Sequence, residues 1–240
     1  RIMNSIDLYN DGHGRVEYIN HMGDDLTVVN SARVSFGTEK KDLDDKDKKL
    51  IKYLIKHKHT STLEHNLITF KFVVPLFIRS QHHRHRTWSY NEISRRYTSV
   101  DMKFYEPKEF RTQHKSNRQA SSDDLINPSM RSDDLIPLVP LKPWLASDAV
   151  REHHNQSLGL YNKLIERGVC REQARGILPQ NLYTEYYGTV NLNNLMKFIE
   201  LRSHDGAQWE IQKVAEACLQ IAEGLFPTTV AFYKEIRENS

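Results

Sequence analysis

The segment 68–74 constrains the fold of this 240-residue chain more than any other, because apolar side chains occupy every second position from Ile68 to Val74. This period of two predicts a half-buried β-strand. Pro75 follows at once, and proline suits the first turn of a helix, so we predict a helix over 76–82. A strand followed directly by a helix should deliver the next segment, 84–97, at the edge of the core.

Other patterns along the chain predict an α/β mixture without regular βαβ alternation. We expect a strand around 16–19, a helix capped by Asp24 or Asp25 that runs to Arg33, and a charged helix with the apolar stripe Leu50, Ile51, Leu54 and Ile55. Helices over 147–167 and 171–178 should follow, and then a strand over 183–190. Two helices should close the chain, the first with the stripe Leu192, Leu195, Met196 and Ile199. Residues 106–147 are rich in Pro, Ser, Asp and Asn, which predicts a long irregular connection.

Composition narrows the class of protein. The 38% hydrophobic content is ordinary for a globular chain, and 240 residues can form a single domain over 1–240. The 34 basic and 31 acidic residues are too balanced for a general nucleic-acid binder. Two cysteines, Cys170 and Cys218, make no disulfide framework, and no apolar run approaches a membrane span. We therefore expect a cytoplasmic protein without an export signal or a membrane partner.

Segment 84–97 packs four arginines, a histidine, a glutamate and two serines into fourteen residues. Arginine offers a planar fork of donors that suits phosphate oxygens, and Asn91, Glu92 and Ser94 can hydrogen-bond a base or a sugar. A phosphorylated heterocycle is therefore the predicted ligand, and a solvated charged loop is the alternative. The chain has no glycine-rich phosphate loop, so side chains must bind the phosphates.

Two further arginines lie outside this segment. Arg202 lies three residues past Ile199, on the flank of a predicted buried stripe, where a charge needs a partner. That partner is either a carboxylate in a structural salt bridge or an anionic ligand. Arg175 is a lone arginine, whose usual role is a surface ion pair.

The pattern R-H-R-x-x-S-x-N-E-x-S-x-R-Y from Arg84 to Tyr97 resembles the signature of the flavin-dependent thymidylate synthases. Similar segments in the same order include Ser31 to Phe36, His59-x-Ser61-x-x-Glu64-His65, Ala174-Arg175-x-x-Leu178-Pro179, Leu201-Arg202 and Ala207 to Ile211. The resemblance covers nearly the whole chain. It implies an α/β fold of the α+β type, with a mixed, mainly antiparallel sheet and flanking helices, and a homotetramer with shared active sites.

The resemblance also implies residue roles. FAD would be bound by Arg84, His85 and Arg86, with further contacts from His59, Ser61, Glu64, Glu92 and Asn191. Deoxyuridylate (dUMP) would be bound by Gln81, Arg84, Glu92, Ile93, Ser94, Arg95, Arg96, Arg175 and Arg202. Arg202 would be catalytic, because a fixed positive charge stabilises the negative charge that develops on the pyrimidine. Lys197 and residues 203–206 depart from the flavin-contacting residues of some members, so no contact is inferred for them.

The implied reaction transfers a one-carbon unit from 5,10-methylenetetrahydrofolate to C5 of dUMP, with hydride from FAD that NADPH reduces. A metal site is the first alternative, since His57, His59 and His65 are close in sequence and so are His82, His83 and His85, but no known zinc spacing is complete. A non-enzymatic RNA-binding module is the second, and it would need a larger basic excess. We expect no metal and no nucleic-acid polymer.

Neither cysteine should be essential, because flavin hydride replaces covalent attack by a thiolate on the pyrimidine. Cys218 lies on a helical apolar stripe and Cys170 lacks an activating motif. The double variant Cys170→Ser, Cys218→Ser should keep its turnover, measured as dTMP formation, with Cys218→Ala as the control for core packing. Complete loss of turnover with normal folding and flavin content would contradict this expectation.

Overall fold

The computed structural model describes residues 4–97, 101–130 and 144–240, and this part of the chain divides into two compact units. The first unit comprises the residues up to Val73 together with Ser80–Glu92 and Glu185–Ser240. The second comprises Val74–Arg79 and Ile93–Thr184. The single domain over 1–240 stays a prediction.

The sequence predicted no regular βαβ alternation, and the described strands and helices agree with this prediction. The strands are β1 (Ser5–Asp7), β2 (Arg15–Met22), β3 (Leu67–Pro75), β4 (Ser89–Glu92), β5 (Phe110–Gln113), β6 (Ser121–Ile126), β7 (Ser129–Met130), β8 (Trp144–Leu145) and β9 (Tyr183–Asn191). The α-helices are α1 (Asp25–Arg33), α2 (Asp45–Lys56), α3 (Leu76–His82), α4 (Ala146–Glu166), α5 (Arg171–Ala174), α6 (Leu192–Arg202), α7 (Trp209–Leu225) and α8 (Pro227–Glu238). None of these helices is both long and apolar enough to cross a membrane.

The main sheet has five strands in the order β1-β2-β3-β9-β4. The pairs β1 with β2, β2 with β3, and β4 with β9 are antiparallel. In the first unit α7 packs on β2, α6 packs on α7, and α8 contacts α1, α2 and α7. The predicted α+β class with a mainly antiparallel sheet and flanking helices is confirmed.

Strand β3 is the centre of this sheet and confirms the predicted strand. Ile68, Phe70 and Phe72 are fully buried, and the residues between them are partly exposed, as the period of two requires. Beyond Phe72 the strand is buried on both faces, so the alternation stops there. Helix α3 begins directly after Pro75, as predicted.

Helix α6 also matches its prediction. Leu192, Leu195, Met196 and Ile199 are buried, which leaves Arg202 half-buried at the end of the same stripe. At the other end, the side chain of Asn191 caps the helix by accepting a hydrogen bond from the backbone N–H of Asn194. The core therefore fixes both the position and the direction of α6.

The prediction of two closing helices was wrong, because three helices follow β9 in the described chain. Pro227 occupies the first turn of the third, α8, where its missing N–H costs nothing. The carboxylate of Asp25 caps α8 by accepting from the backbone N–H groups of Thr228 and Thr229, each at 2.9 Å. This cap comes from a residue about 200 positions earlier, so the local pattern could not reveal it.

Residues 106–147 were predicted to form a long irregular connection, but the described part of this segment contains paired strands. Strands β5 and β6 form an antiparallel hairpin, and β7 pairs with β8. The hairpin includes the first Ser-Asp-Asp-Leu-Ile segment, whereas the second, at 132–136, lies outside the described residues. Helix α4 packs its buried Tyr161 with Leu178 and Leu182 in the core of this unit.

The segment 84–97 was not predicted to contain regular structure, yet residues 89–92 form β4. Trp88, just before this strand, is buried against Phe70 and Phe72. Gly188 of β9 makes this packing possible, because a Cβ there would lie 2.9 Å from a ring carbon of Phe72 and 3.2 Å from one of Trp88. The sheet thus needs glycine opposite Tyr90.

Gly188→Ala should lower the free energy of unfolding by about 1–3 kcal/mol, because the new methyl group must displace two packed rings. Gly159→Ala is the matched control, since a Cβ at this position in α4 meets nothing within 4 Å. The control should gain about 0.5–1 kcal/mol from the lower entropy of its unfolded chain. Urea unfolding of both variants measures the difference, and equal stabilities would contradict the steric argument.

Candidate active site

The R-H-R turn, residues 82–86, leaves α3 and leads towards β4. The backbone N–H of His85 donates to the carbonyl of His82 at 2.9 Å, which closes the turn. Arg84 and Arg86 are exposed, while His85 is half-buried. The turn therefore directs two guanidinium groups to solvent and holds one imidazole against the protein.

Arg202, at the end of α6, reaches this turn through two hydrogen bonds. Its Nε donates to Nε2 of His85 at 3.1 Å, and its Nη2 donates to the carbonyl of Gln81 at 3.2 Å. The side chain of Gln81 in turn donates to Oε1 of Gln208 at 2.7 Å. Three of the residues predicted to bind ligands, Gln81, His85 and Arg202, are thus brought together in the first unit.

The bond from Arg202 defines the state of His85. A guanidinium can only donate, so Nε2 of His85 is the acceptor and the ring proton lies on Nδ1. Burial, and then the charge of Arg202, lower the pKa of His85 to about 4. His85 is therefore neutral near pH 7, with Nδ1–H as its remaining donor.

Arg84, Arg86 and Arg202 form no salt bridge with any carboxylate of the described residues. Burial, and then the neighbouring charge of Arg84, lower the pKa of Arg202, which means that the two cations repel each other. Other partly buried cations of this unit do have acidic partners, for example Arg33 with Asp47 at 2.8 Å. The structural salt bridge considered for Arg202 is thus absent from the described chain, and the positive charge is available to an anion.

A buried aromatic cluster supports the turn from below. The ring of His82 lies 4.5 Å from Trp88, 4.6 Å from Phe72 and 5.0 Å from Phe198, measured between ring centroids. Its Nδ1 is 2.6 Å from the hydroxyl of Tyr186. Burial lowers the pKa of His82 and raises the pKa of Tyr186, so both groups are neutral. The turn therefore packs on a buried, uncharged aromatic cluster.

A second group of predicted ligand residues lies at the other end of α6. His59, Ser61 and Glu64 are exposed and follow one another before β3. The side chain of Asn193, in the first turn of α6, donates to Glu64 at 3.4 Å. Arg202 lies nine positions after Asn193, which corresponds to about 14 Å along the helix axis. Within one chain, the predicted flavin residues therefore form two groups that α6 separates.

A cavity of about 350 Å³ in the first unit includes His59 on its wall. Its wall combines cationic and apolar side chains. The lining residues are Leu54, Ile55, Lys58, His59, Thr60, Leu63, Asn193, Met196, Lys197, Glu200, Thr229, Tyr233, Ile236, Arg237 and Ser240. The second unit has a larger cavity of about 520 Å³. Its lining is mainly apolar and includes none of the predicted site residues, so the R-H-R turn remains the candidate site.

The remaining predicted residues belong to the second unit, apart from Glu92, which ends β4 in the first. Ile93 and Ser94 are partly exposed, and Ser94 Oγ accepts from the backbone N–H of Arg96 at 3.2 Å. Arg95 donates to the carbonyl of Tyr183 at 3.3 Å. Arg96 and Arg175 are exposed. Arg175 has no carboxylate partner among the described residues.

The two cysteines lie in different environments, and the described histidines do not come together as a metal site. Cys218 is fully buried, and burial raises the pKa of its thiol. Cys170 is exposed, with its Sγ 3.7 Å from Oε1 of Gln173. No group of three or more His, Cys, Asp or Glu side chains within 4–97, 101–130 and 144–240 could hold a metal ion.

The sequence did not reveal three supporting residues, Tyr90, His82 and Gln208. Tyr90 is an unspecified position of the motif, yet its hydroxyl donates to the carbonyls of both His82 and His85. Gln208 contacts Gln81 from more than 120 positions away. These roles depend on tertiary contacts, for which a single sequence has no local signal.

Comparison with known proteins gives the family of this chain. The family described as thymidylate synthase complementing protein matches residues 17–228. A flavin-dependent thymidylate synthase of Thermus thermophilus is 41% identical over 224 residues, which cover 92% of this chain and 76% of the relative. One of Thermotoga neapolitana is 40% identical over 222 residues, which cover 92% of this chain and 91% of the relative.

The fold is also similar to a solved structure. The crystal structure of the UMP/dUMP methylase PolB from Streptomyces cacaoi, bound with 5-Br dUMP, has a TM-score of 0.77 and 31% identity, and the match covers 96% of this chain and 97% of that one. The mainly antiparallel sheet with its flanking helices is the fold of an α+β enzyme. The chain belongs to the flavin-dependent thymidylate synthase family.

The neutral state of His85 predicts a dependence of stability on pH. Between pH 6.5 and about 4 the unfolded chain binds a proton at His85 that the folded chain does not bind. Stability is therefore lost as the pH falls from 6.5, and the loss is complete near pH 4. His85→Gln keeps an acceptor for Arg202 without a titrating group, so its thermal midpoint should fall less over this window.

The control is His65→Gln, the same change at an exposed histidine. It should follow the wild-type dependence. Part of the slope should remain in His85→Gln, because burial lowers the pKa of His82 in the same direction. Identical slopes for wild type and His85→Gln would contradict the assignment of His85 as a buried neutral acceptor.

Proposed function

We propose that this chain catalyses the reductive methylation of dUMP to dTMP, with 5,10-methylenetetrahydrofolate as the one-carbon donor, FAD as the cofactor and NADPH as the reductant. The observation that carries this proposal is the group of three arginines, Arg84, Arg86 and Arg202, which have no acidic partner in the described chain. Cations held together without carboxylates attract anions, and both FAD and dUMP carry phosphate.

The R-H-R turn fits FAD by its chemistry. Arg84 and Arg86 offer exposed guanidinium forks for a pyrophosphate, and His85 offers one neutral donor, Nδ1–H. Glu92 and the second group, His59, Ser61, Glu64 and Asn191, are the further flavin contacts of the proposal. When bound, reduced FAD supplies the hydride that converts the transferred one-carbon unit to a methyl group.

Arg202 is the proposed catalytic residue. Its guanidinium uses Nε and Nη2 for bonds to the protein, so Nη1 and the second hydrogen of Nη2 remain for a ligand. A charge fixed in this way can stabilise the negative charge that develops on the pyrimidine at no cost of reorganisation. Gln81, Arg84, Glu92, Ile93, Ser94, Arg95, Arg96 and Arg175 complete the proposed dUMP site.

We further propose a homotetramer in which active sites are shared between subunits. The two groups of flavin residues lie at opposite ends of α6 in one chain, about 14 Å apart along its axis. A site that takes its R-H-R turn from one subunit and residues 59–64 from another would bring them to one ligand. The chain would act in the cytoplasm as a single domain, with small molecules as its substrates.

Arg202→Ala should slow the chemical step on the order of 10²-fold, since one preorganised positive group is lost. Arg202→Lys should recover only part of the rate, because an ammonium keeps the charge and loses the planar fork. The measurement is single-turnover oxidation of the enzyme's reduced flavin by dUMP and methylenetetrahydrofolate, with FAD occupancy matched. A near-wild-type rate in Arg202→Ala would return this arginine to a structural role.

Two control variants sharpen this test. Arg86→Ala should lose FAD itself rather than rate per bound flavin, because the exposed guanidinium of Arg86 has no hydrogen bond or ion pair within the described residues that the change would remove. Arg167→Ala, at the end of α4, is the control for removing an exposed arginine and should match wild type in both measurements. Unchanged FAD occupancy in folded Arg86→Ala would remove the R-H-R turn from the flavin site.

A further inference from the structure

Tyr90 bonds to the R-H-R turn at two points, although no ligand role is assigned to it. Its hydroxyl lies 3.0 Å from the carbonyl oxygen of His82 and 2.8 Å from that of His85. The last carbonyl groups of a helix have no partner within the helix, so donors from elsewhere must satisfy them. Tyr90 supplies such a donor at the end of α3.

The ring of Tyr90 is itself held firmly. Tyr90 pairs with Gly188 in the main sheet, and its ring stacks on the ring of His83 with centroids 4.0 Å apart and planes at 24°. Burial raises the pKa of Tyr90, so the phenol remains a donor at neutral and mildly alkaline pH. A group fixed on a sheet strand can define the position of the more exposed turn that it contacts.

Tyr90 and Arg202 together hold three carbonyl groups of this segment. Arg202 bonds to the carbonyl of Gln81, and Tyr90 bonds to those of His82 and His85. The carbonyl of His82 also accepts from the backbone N–H of His85, whereas Tyr90 is the only side chain of the described residues that donates to the carbonyl of His85. The peptide that links His85 to Arg86 is therefore oriented by Tyr90.

We propose that Tyr90 is a positioning residue, which holds the R-H-R turn in the shape that binds FAD and, through His85, orients Arg202 towards the nucleotide. This inference rests on the proposed function of the turn. Tyr90 touches neither ligand in the proposal. Its effect on binding comes from the direction it gives to the side chains of Arg84, His85 and Arg86.

The test is Tyr90→Phe, which removes the hydroxyl and keeps the ring against His83. One net hydrogen bond is worth up to about a tenfold change in an equilibrium constant, so the dissociation constant of FAD should rise about 5- to 10-fold. FAD is titrated into the apo-protein, and dUMP into the FAD-loaded protein. The dissociation constant of dUMP should rise as well, because Arg202 is hydrogen-bonded to His85.

Tyr187→Phe is the matched control, because it removes a hydroxyl from an exposed tyrosine on the neighbouring strand β9, and this hydroxyl has no hydrogen bond to the described residues. It should bind FAD and dUMP as wild type does. Thermal unfolding of the apo-proteins separates positioning from general stability. A positioning role predicts weaker ligand binding at temperatures where Tyr90→Phe remains fully folded.

The outcomes are distinct. FAD and dUMP constants equal to wild type in folded Tyr90→Phe would overturn the proposal, and a lowered melting temperature with unchanged constants would do the same. A Tyr90→Phe protein that does not fold at any temperature would also overturn it, because the hydroxyl would then be structural. Failure of the wild-type protein to bind FAD would instead refute the proposed function, before any variant is compared.

Discussion

The hydrogen bond from Arg202 to His85 is the interaction on which the site depends, because it joins the end of α6 to the R-H-R turn. It requires an imidazole that can accept at Nε2, and burial provides this by lowering the pKa of His85. It also requires that α6 place Arg202 within hydrogen-bonding distance of His85, and the buried apolar stripe of the helix fixes this position. The apolar core thus decides the protonation and the direction of the two polar groups at the surface.

Where bound anions stabilise the cations of a site, the apo-protein is less stable than the complex. Burial, and then the charge of Arg84, lower the pKa of Arg202; the second cause is a repulsion between the two cations, and neither has a carboxylate in the described chain to offset it. A ligand that binds only the folded state raises stability by mass action. Phosphate-bearing ligands should therefore contribute to the stability of this region as well as to its reaction, whereas Arg33, paired with Asp47, is independent of any ligand.

Much of this arrangement could be predicted from the sequence where the signal is local. The alternation of β3, the start of α3 after Pro75 and the stripe of α6 follow from periodicity and capping, which act over a few residues. The third closing helix was missed because its cap, Asp25, is remote in sequence, and the β5–β6 hairpin was missed because polar, proline-rich composition hid it. The partners of Arg202 and the role of Tyr90 depend on contacts between distant segments, so no pattern could reveal them.

Helix α6 also has an electrostatic polarity that matches its two ends. The aligned peptide dipoles leave a partial positive charge at the N-terminus and a partial negative charge at the C-terminus. Arg202 lies in the last turn, so the backbone itself offsets part of its charge. A carboxylate at that end would compete with an anionic ligand for the guanidinium. By using the field of a helix instead, the protein keeps a half-buried cation in place while its outer edge retains its attraction for an anion.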